Sequence, residues 1–84
     1  MPRYYFHIED GTALVDNEGV ELSGPRAARV EAARTIGEMV SQNPDEFWND
    51  GNFKLTVVDE GGSLLFVLNL SAVVPPVFDP YRGA

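Results

Sequence analysis

The chain has no cysteine among its 84 residues. That excludes a disulfide framework, a thiolate zinc site and a thiol nucleophile, and leaves packing alone to hold the core. Basic residues are scarce: six Lys and Arg stand against thirteen Asp and Glu, a formal net charge of −7. A surface of that sign repels phosphate backbones, so no nucleic-acid partner is expected. No apolar run nears the ~18 residues that would span a bilayer, and no charged-then-apolar signal stretch opens the chain, so the expectation is a cytoplasmic protein with no membrane contact. A chain of this length fits one domain and buries only about 60–65% of its unfolded surface, which leaves little depth for a catalytic cleft.

What the sequence does contain is clear periodicity. Tyr4, Phe6 and Ile8 alternate with Arg3, Tyr5, His7 and Glu9, a strand pattern that turns one row into a core and the other to the opposite sheet face. Asp10-Gly11 offers a turn, with positive φ open to the glycine. A second, shorter strand is expected in Thr12-Ala13-Leu14-Val15 or in Gly19-Val20-Glu21-Leu22, on either side of Asp16-Asn17-Glu18.

Ser23-Gly24-Pro25 marks a helix start, with Ser23 or Gly24 as N-cap and proline where its missing N–H costs nothing. From Arg26 to about Gln42, Ala28, Ala32, Ala33, Ile36, Met39 and Val40 share one arc, while Glu31, Arg34, Glu38 and Ser41 share the other. The small alanines suit close packing on a sheet. Arg29 lies in the apolar arc, placed to snorkel along the sheet edge, and Arg34 is spaced to pair with Glu38. Asn43-Pro44 reads as the helix end, with Phe47 and Trp48 as a plug in the loop beyond it.

Two further strands, Phe53–Asp59 and Ser63–Leu70, flank Glu60-Gly61-Gly62. A two-residue Gly61-Gly62 loop sets Phe53 opposite Leu70, Leu55 opposite Leu68 and Val57 opposite Phe66, a wholly apolar face. The other face then pairs Lys54 with Asn69, Thr56 with Val67 and Val58 with Leu65. A three-residue loop without a bulge would mix polar and apolar residues on both faces and is rejected. Beyond the sheet, the prolines at 75, 76 and 80 lack the donors a sheet interior needs, so residues 73–84 are read as an extended Pro-rich tail on a single domain of residues 1–72.

The run Pro2-Arg3-Tyr4-Tyr5-Phe6-His7, followed by Asp10-Gly11, Glu18-Gly19-Val20-Glu21-Leu22, Ala27-Ala28-Arg29 in the helix and a final strand pair split by a Gly-containing turn, resembles a family of short bacterial proteins opening P-R-Y-(F or Y)-F-H. That family is a domain of unknown function. The resemblance runs from Pro2 to about Leu70 and implies an architecture and no chemistry. A weaker likeness, in the strand ending Glu9-Asp10-Gly11, the second strand and the alanine-rich helix, is to the partial ribonuclease-H-like domain of a class of antitoxins.

The expected fold is α+β: a small, mostly antiparallel sheet of three to four strands with one helix on one face, in the order β-(β)-α-β-β. The helix covers Tyr4, Phe6, Ile8, Phe53, Leu55, Val57, Phe66 and Leu68. The opposite face is left with Tyr5, Val58, Leu65 and Val67 among Arg3, His7, Lys54 and Thr56, too much apolar surface to be scattered exposure. The candidate interaction surface is therefore Tyr5, His7, Val58, Leu65 and Val67, with Phe78 and Tyr81 as anchors if the tail folds over it.

His7 is the only side chain with a reference pKa near neutrality, so a small hydrolase or isomerase would have to use it, yet no nucleophile or second histidine marks a partner. A lone histidine with scattered carboxylates lacks metal-ligand spacing, and Asp16-Asn17-Glu18-Gly19 lacks the glycine position and terminal glutamate of a calcium loop. No cofactor, catalytic residue or metal ligand is assigned. From Glu9 to Glu21 there are five acidic residues and no basic one, a solvated loop or a docking surface for a basic protein. The preferred reading is a non-enzymatic acidic interaction module working as a homodimer or with a protein partner; the rival is an antitoxin-like inhibitor of a basic protein.

Overall fold

The computed structural model describes residues 1–73 and Pro75. Its elements run β1 (Arg3–Glu9), β2 (Ala13–Leu14), β3 (Val20–Glu21), α1 (Pro25–Gln42), α2 (Pro44–Asp50), β4 (Asn52–Asp59) and β5 (Leu64–Ser71). The fold is α+β. Every strand pairing is antiparallel, in the order β2-β1-β4-β5, with β3 also on β1. Both segments offered for the second strand are therefore strands, and they share the same edge of β1: β2 pairs Ile8 and Glu9, while β3 pairs Arg3 and Tyr4. The sheet has five strands, one more than expected.

One sheet face is covered by α1. Gly24 caps the helix without a side-chain bond, Pro25 occupies its first turn, and Ala28, Ala32 and Ile36 are buried. They meet Tyr4, Phe53, Leu55 and Val57, with Phe6, Ile8, Leu22, Met39, Phe47, Phe66 and Leu68 packed around them. All eight residues expected beneath the helix are in this cluster. Ala28 and Ala32 have no exposed surface; a side chain of one carbon lets the helix backbone lie close above Leu55 and Val57, which are also fully buried. The buried stripe is narrower than the sequence arc, since Arg29 and Ala33 face solvent. Arg34 pairs with Glu31 at 3.6 Å rather than with Glu38.

Asn43-Pro44 ends one helix and begins another. Pro44 stands in the first turn of α2, where its missing N–H is harmless, and Asp45 and Glu46 follow at the positive end of the helix dipole. Gly51 closes α2 in the left-handed conformation (φ 69°), its N–H bonded to Phe47 O at 2.6 Å. The expected loop plug is thus a helix, and only half of it plugs: Phe47 packs on the core, whereas Trp48 is 59% exposed and meets the Phe47 ring edge-on at 5.6 Å.

The β4–β5 register holds from Phe53–Leu70 through Leu55–Leu68 to Val57–Phe66 and then shifts, so that Val58 faces Leu64 rather than Leu65. The turn causes the shift. Gly62 N–H donates to Asp59 O at 3.0 Å, and Asp59 N–H donates to Ser63 O at 3.0 Å. The Asp59 carboxylate accepts from the N–H groups of Gly61 and Ser63, both at 2.9 Å. The loop is therefore three residues, Glu60 to Gly62, with Gly62 at φ 83°, and the extra residue is absorbed as a bulge at Leu65. The bulge restores the apolar alternation that a plain three-residue loop would have destroyed.

Candidate interaction surface

The face of the sheet away from α1 is built by strand register. Tyr5 stands beside Val58, His7 beside Thr56, Thr56 beside Val67, and Val58 beside Leu64. Tyr5, His7, Thr56 and Val58 are half-buried by their neighbours, while Val67 is 39% and Leu64 61% exposed. Among the described residues no second helix or sheet covers this face. Leu65, placed here by the sequence reading, is carried away by the bulge: it borders a shallow groove with Arg3, Tyr4 and Pro25, and Leu64 takes its place beside Val58. Phe78 and Tyr81, and the tail expected to carry them, lie outside the described residues.

One corner of the face is organised by Asp16, which composition alone placed in a featureless acidic run. The gap between β2 and β3 leaves the Phe6 N–H of β1 without a strand partner, and the Asp16 carboxylate accepts it at 3.1 Å. Its other oxygen accepts from Glu18 N–H and Gly19 N–H, each at 3.0 Å, the local turn that aspartate favours. The Asp16 N–H donates to His7 Nδ1 at 3.0 Å. Burial alone would raise the Asp16 pKa, but the N–H groups of Gly19, Phe6 and Glu18, with a further contribution from His7, outweigh it and hold the carboxyl below its ordinary value.

Gly19 completes the corner. At φ 69° it lies so close to β1 that a Cβ would come within 2.8 Å of Tyr4 O and 2.9 Å of the Tyr5 ring. Arg3 fixes the far side, donating to Glu18 O at 2.7 Å and to the Glu21 carboxylate at 3.1 Å. The sequence offered a signal for this corner, Asp16 three residues before a glycine, but nothing in it linked that turn to a particular N–H of β1.

This arrangement bears on chemistry. An imidazole nitrogen that accepts from a backbone N–H carries no proton, which puts the ring proton of neutral His7 on Nε2. The Asp16 carboxylate is turned to three backbone N–H groups and not to the imidazole, so the pair is not the base-and-orienter arrangement of acid–base catalysis. A mixed cleft of about 210 Å³ lies between Met39 of α1, Phe47 of α2 and Asn52 and Phe53 of β4, and is lined also by Asp10 and Leu14. Among the described residues no helix is long and apolar enough to cross a membrane.

A short antiparallel sheet with one face covered by α1, one face left open among the described residues and a carboxylate-stitched edge defines a small α+β domain. The family described as Domain of unknown function (DUF6894) matches residues 3–71, and the chain belongs to it. No curated protein and no solved structure matches the chain.

Proposed function

We propose that the domain is a non-enzymatic protein-interaction module that works as a homodimer and presents its open sheet face to a protein partner. The observation that carries this reading is the row Tyr5, Val58 and Leu64 beside Val67 on a face that no described element covers. Apolar surface in a contiguous patch costs solubility and is retained where something binds it. His7 sits in the patch as part of the contact surface, its Nδ1 already engaged by Asp16.

The rival antitoxin-like reading rests on the acidic run from Glu9 to Glu21. Two of those five carboxylates already have partners within the chain, Asp16 in backbone N–H groups and Glu21 in Arg3, so neither is free to bond a basic partner. A hydrolase or isomerase built on His7 stands last, since the carboxylate beside it points elsewhere. Sedimentation equilibrium on the full chain at micromolar concentration tests the homodimer: a mass of two chains is expected, and a mass of one chain overturns that part of the reading.

A further inference from the structure

We infer that the dimer forms edge to edge through β5, two copies pairing antiparallel across a two-fold axis at Leu68 so that the sheets join into one of ten strands with both open faces on the same side. This rests on the interaction-module reading and names the partner of one edge: a second copy of the chain.

The two edges of the sheet are treated differently. The edge of β1 is closed by β2 and β3, with the Asp16 carboxylate filling the gap between them. The edge of β5 has no partner strand among the described residues, although β5 is eight residues long. An unpaired strand of that length is a template for another strand; proteins that stay monomeric blunt it with a bulge, which in β5 reaches only Leu65, or with charge or proline. β5 has neither: it reads Leu64-Leu65-Phe66-Val67-Leu68-Asn69-Leu70-Ser71, whereas β1 carries Arg3 and Glu9 and β4 carries Lys54 and Asp59. Leu64, Leu65, Val67 and Leu70 are all more than a third exposed.

Charge selects where two copies can meet. Two copies each of net charge −7 repel wherever charged surfaces meet, and a strand with no charge is where they approach at least cost. The chain's own downstream segment is a poor rival for the edge, because Pro75, Pro76 and Pro80 lack the N–H that a returning strand must supply.

The register follows from the ladder. Ala72 N–H donates to Gly51 O at 2.8 Å, which makes these a hydrogen-bonded pair. Alternation along an antiparallel ladder then turns the backbone groups of Phe66, Leu68 and Leu70 toward β4 and those of Val67, Asn69 and Ser71 outward. A two-fold pairing must join outward groups to outward groups, and the bulge at Leu65 favours a ladder centred toward the C-terminal half of the strand. Pairing Val67 with Asn69 of the second copy satisfies both. It sets Leu68 against Leu68 and Phe66 against Leu70 on the helix side, so the two cores become one.

The chain has no cysteine, so a single introduced thiol can form a disulfide only between chains. In full-length protein, Leu68→Cys is expected to cross-link under mild oxidation at least about tenfold more than Thr56→Cys on the interior strand, because the two sulfurs would meet in a non-hydrogen-bonded pair whose Cα atoms lie about 4.5 Å apart. Asn69→Pro removes an outward N–H and leaves the β4 bonds intact; with circular dichroism unchanged, it is expected to weaken the dimer by about 100-fold in dissociation constant or more. A dimer that survives Asn69→Pro and shows no preferential Leu68→Cys cross-link overturns the edge assignment while leaving the homodimer standing. A monomeric unmodified chain overturns both. If Asn69→Pro does not fold, the cross-linking ratio decides alone.

Discussion

The backbone N–H of Asp16 donates to Nδ1 of His7 at 3.0 Å while the Asp16 carboxylate takes the Phe6 N–H at 3.1 Å, so one residue bonds two successive positions of β1 in place of a strand. Without it the ladder between β2 and β3 would leave a donor to water at a half-buried site. Asp16→Ala removes the acceptor for three backbone N–H groups, and hydrogen bonds to a charged acceptor contribute about 1.5–3 kcal/mol each when well shielded. Because Asp16 is only half-buried, the expected loss is about 1–3 kcal/mol in all, read from urea unfolding. A change under about 0.5 kcal/mol, typical of an ordinary surface position, would show that the stitch contributes nothing.

The same carboxylate gives stability a pH dependence of defined sign. Asp16 is held below its ordinary value of 3.8 in the fold, whereas in the unfolded chain it takes up its proton near that value. Above it, the ionised carboxylate contributes fully. As the pH falls below it, the unfolded chain binds the proton first and stability declines until the folded group is protonated too. Urea midpoints measured on both sides of pH 3.8 are therefore expected to fall more steeply for the unmodified protein than for Asp16→Asn, which cannot titrate. Parallel profiles would assign acid sensitivity to other carboxylates.

Strand alternation and helix spacing were enough to place the covered face, because burial imposes a period of two on β1, β4 and β5 and that period survives in Tyr4-Phe6-Ile8 and Phe53-Leu55-Val57. Where local polar bonding overrides the period, the sequence pattern misleads. Asp59 and Gly62 build a three-residue turn whose extra residue is absorbed within β5, at Leu65, so Leu64 and not Leu65 faces Val58. Pro44 reads as a stop because it cannot continue a helix; it equally well starts one, and Gly51 is the sign of that second helix's end. The Asp16 corner was invisible for a different reason: a side chain standing in for a strand leaves no periodic trace, only an aspartate near a glycine.

Two glycines separate conformational strain from crowding. Gly19 and Gly62 both have positive φ, 69° and 83°, so alanine at either incurs the left-handed penalty of about 1–2 kcal/mol. At Gly62 a Cβ meets nothing within 4 Å, whereas at Gly19 it meets the Tyr4 carbonyl oxygen at 2.8 Å. A backbone atom in a paired strand cannot step aside as a side-chain tip can. Gly19→Ala is expected to cost at least about 1 kcal/mol more than Gly62→Ala, the low end of an overpacking penalty. Equal losses in chemical denaturation would mean that the loop lifts away from β1 freely.

Leu55 and Leu68 face each other across β4 and β5, yet they answer to different surroundings. Leu55 is fully buried under α1, and Leu55→Ala should leave a cavity costing about 2–5 kcal/mol at any protein concentration. Leu68 is only half-buried within one chain, so in a monomer Leu68→Ala should cost about 1–2 kcal/mol, the transfer loss of a partly exposed side chain. If two copies meet at Leu68, the second chain completes its burial, and unfolding becomes coupled to dissociation. The cost of Leu68→Ala is then expected to grow with protein concentration until it approaches that of Leu55→Ala, while the Leu55→Ala difference stays nearly constant. Thermal unfolding of the two variants over a hundredfold concentration range, about 2.7 kcal/mol of mass action, reads this directly. A Leu68→Ala cost that does not move with concentration would place Leu68 at an edge that meets only water.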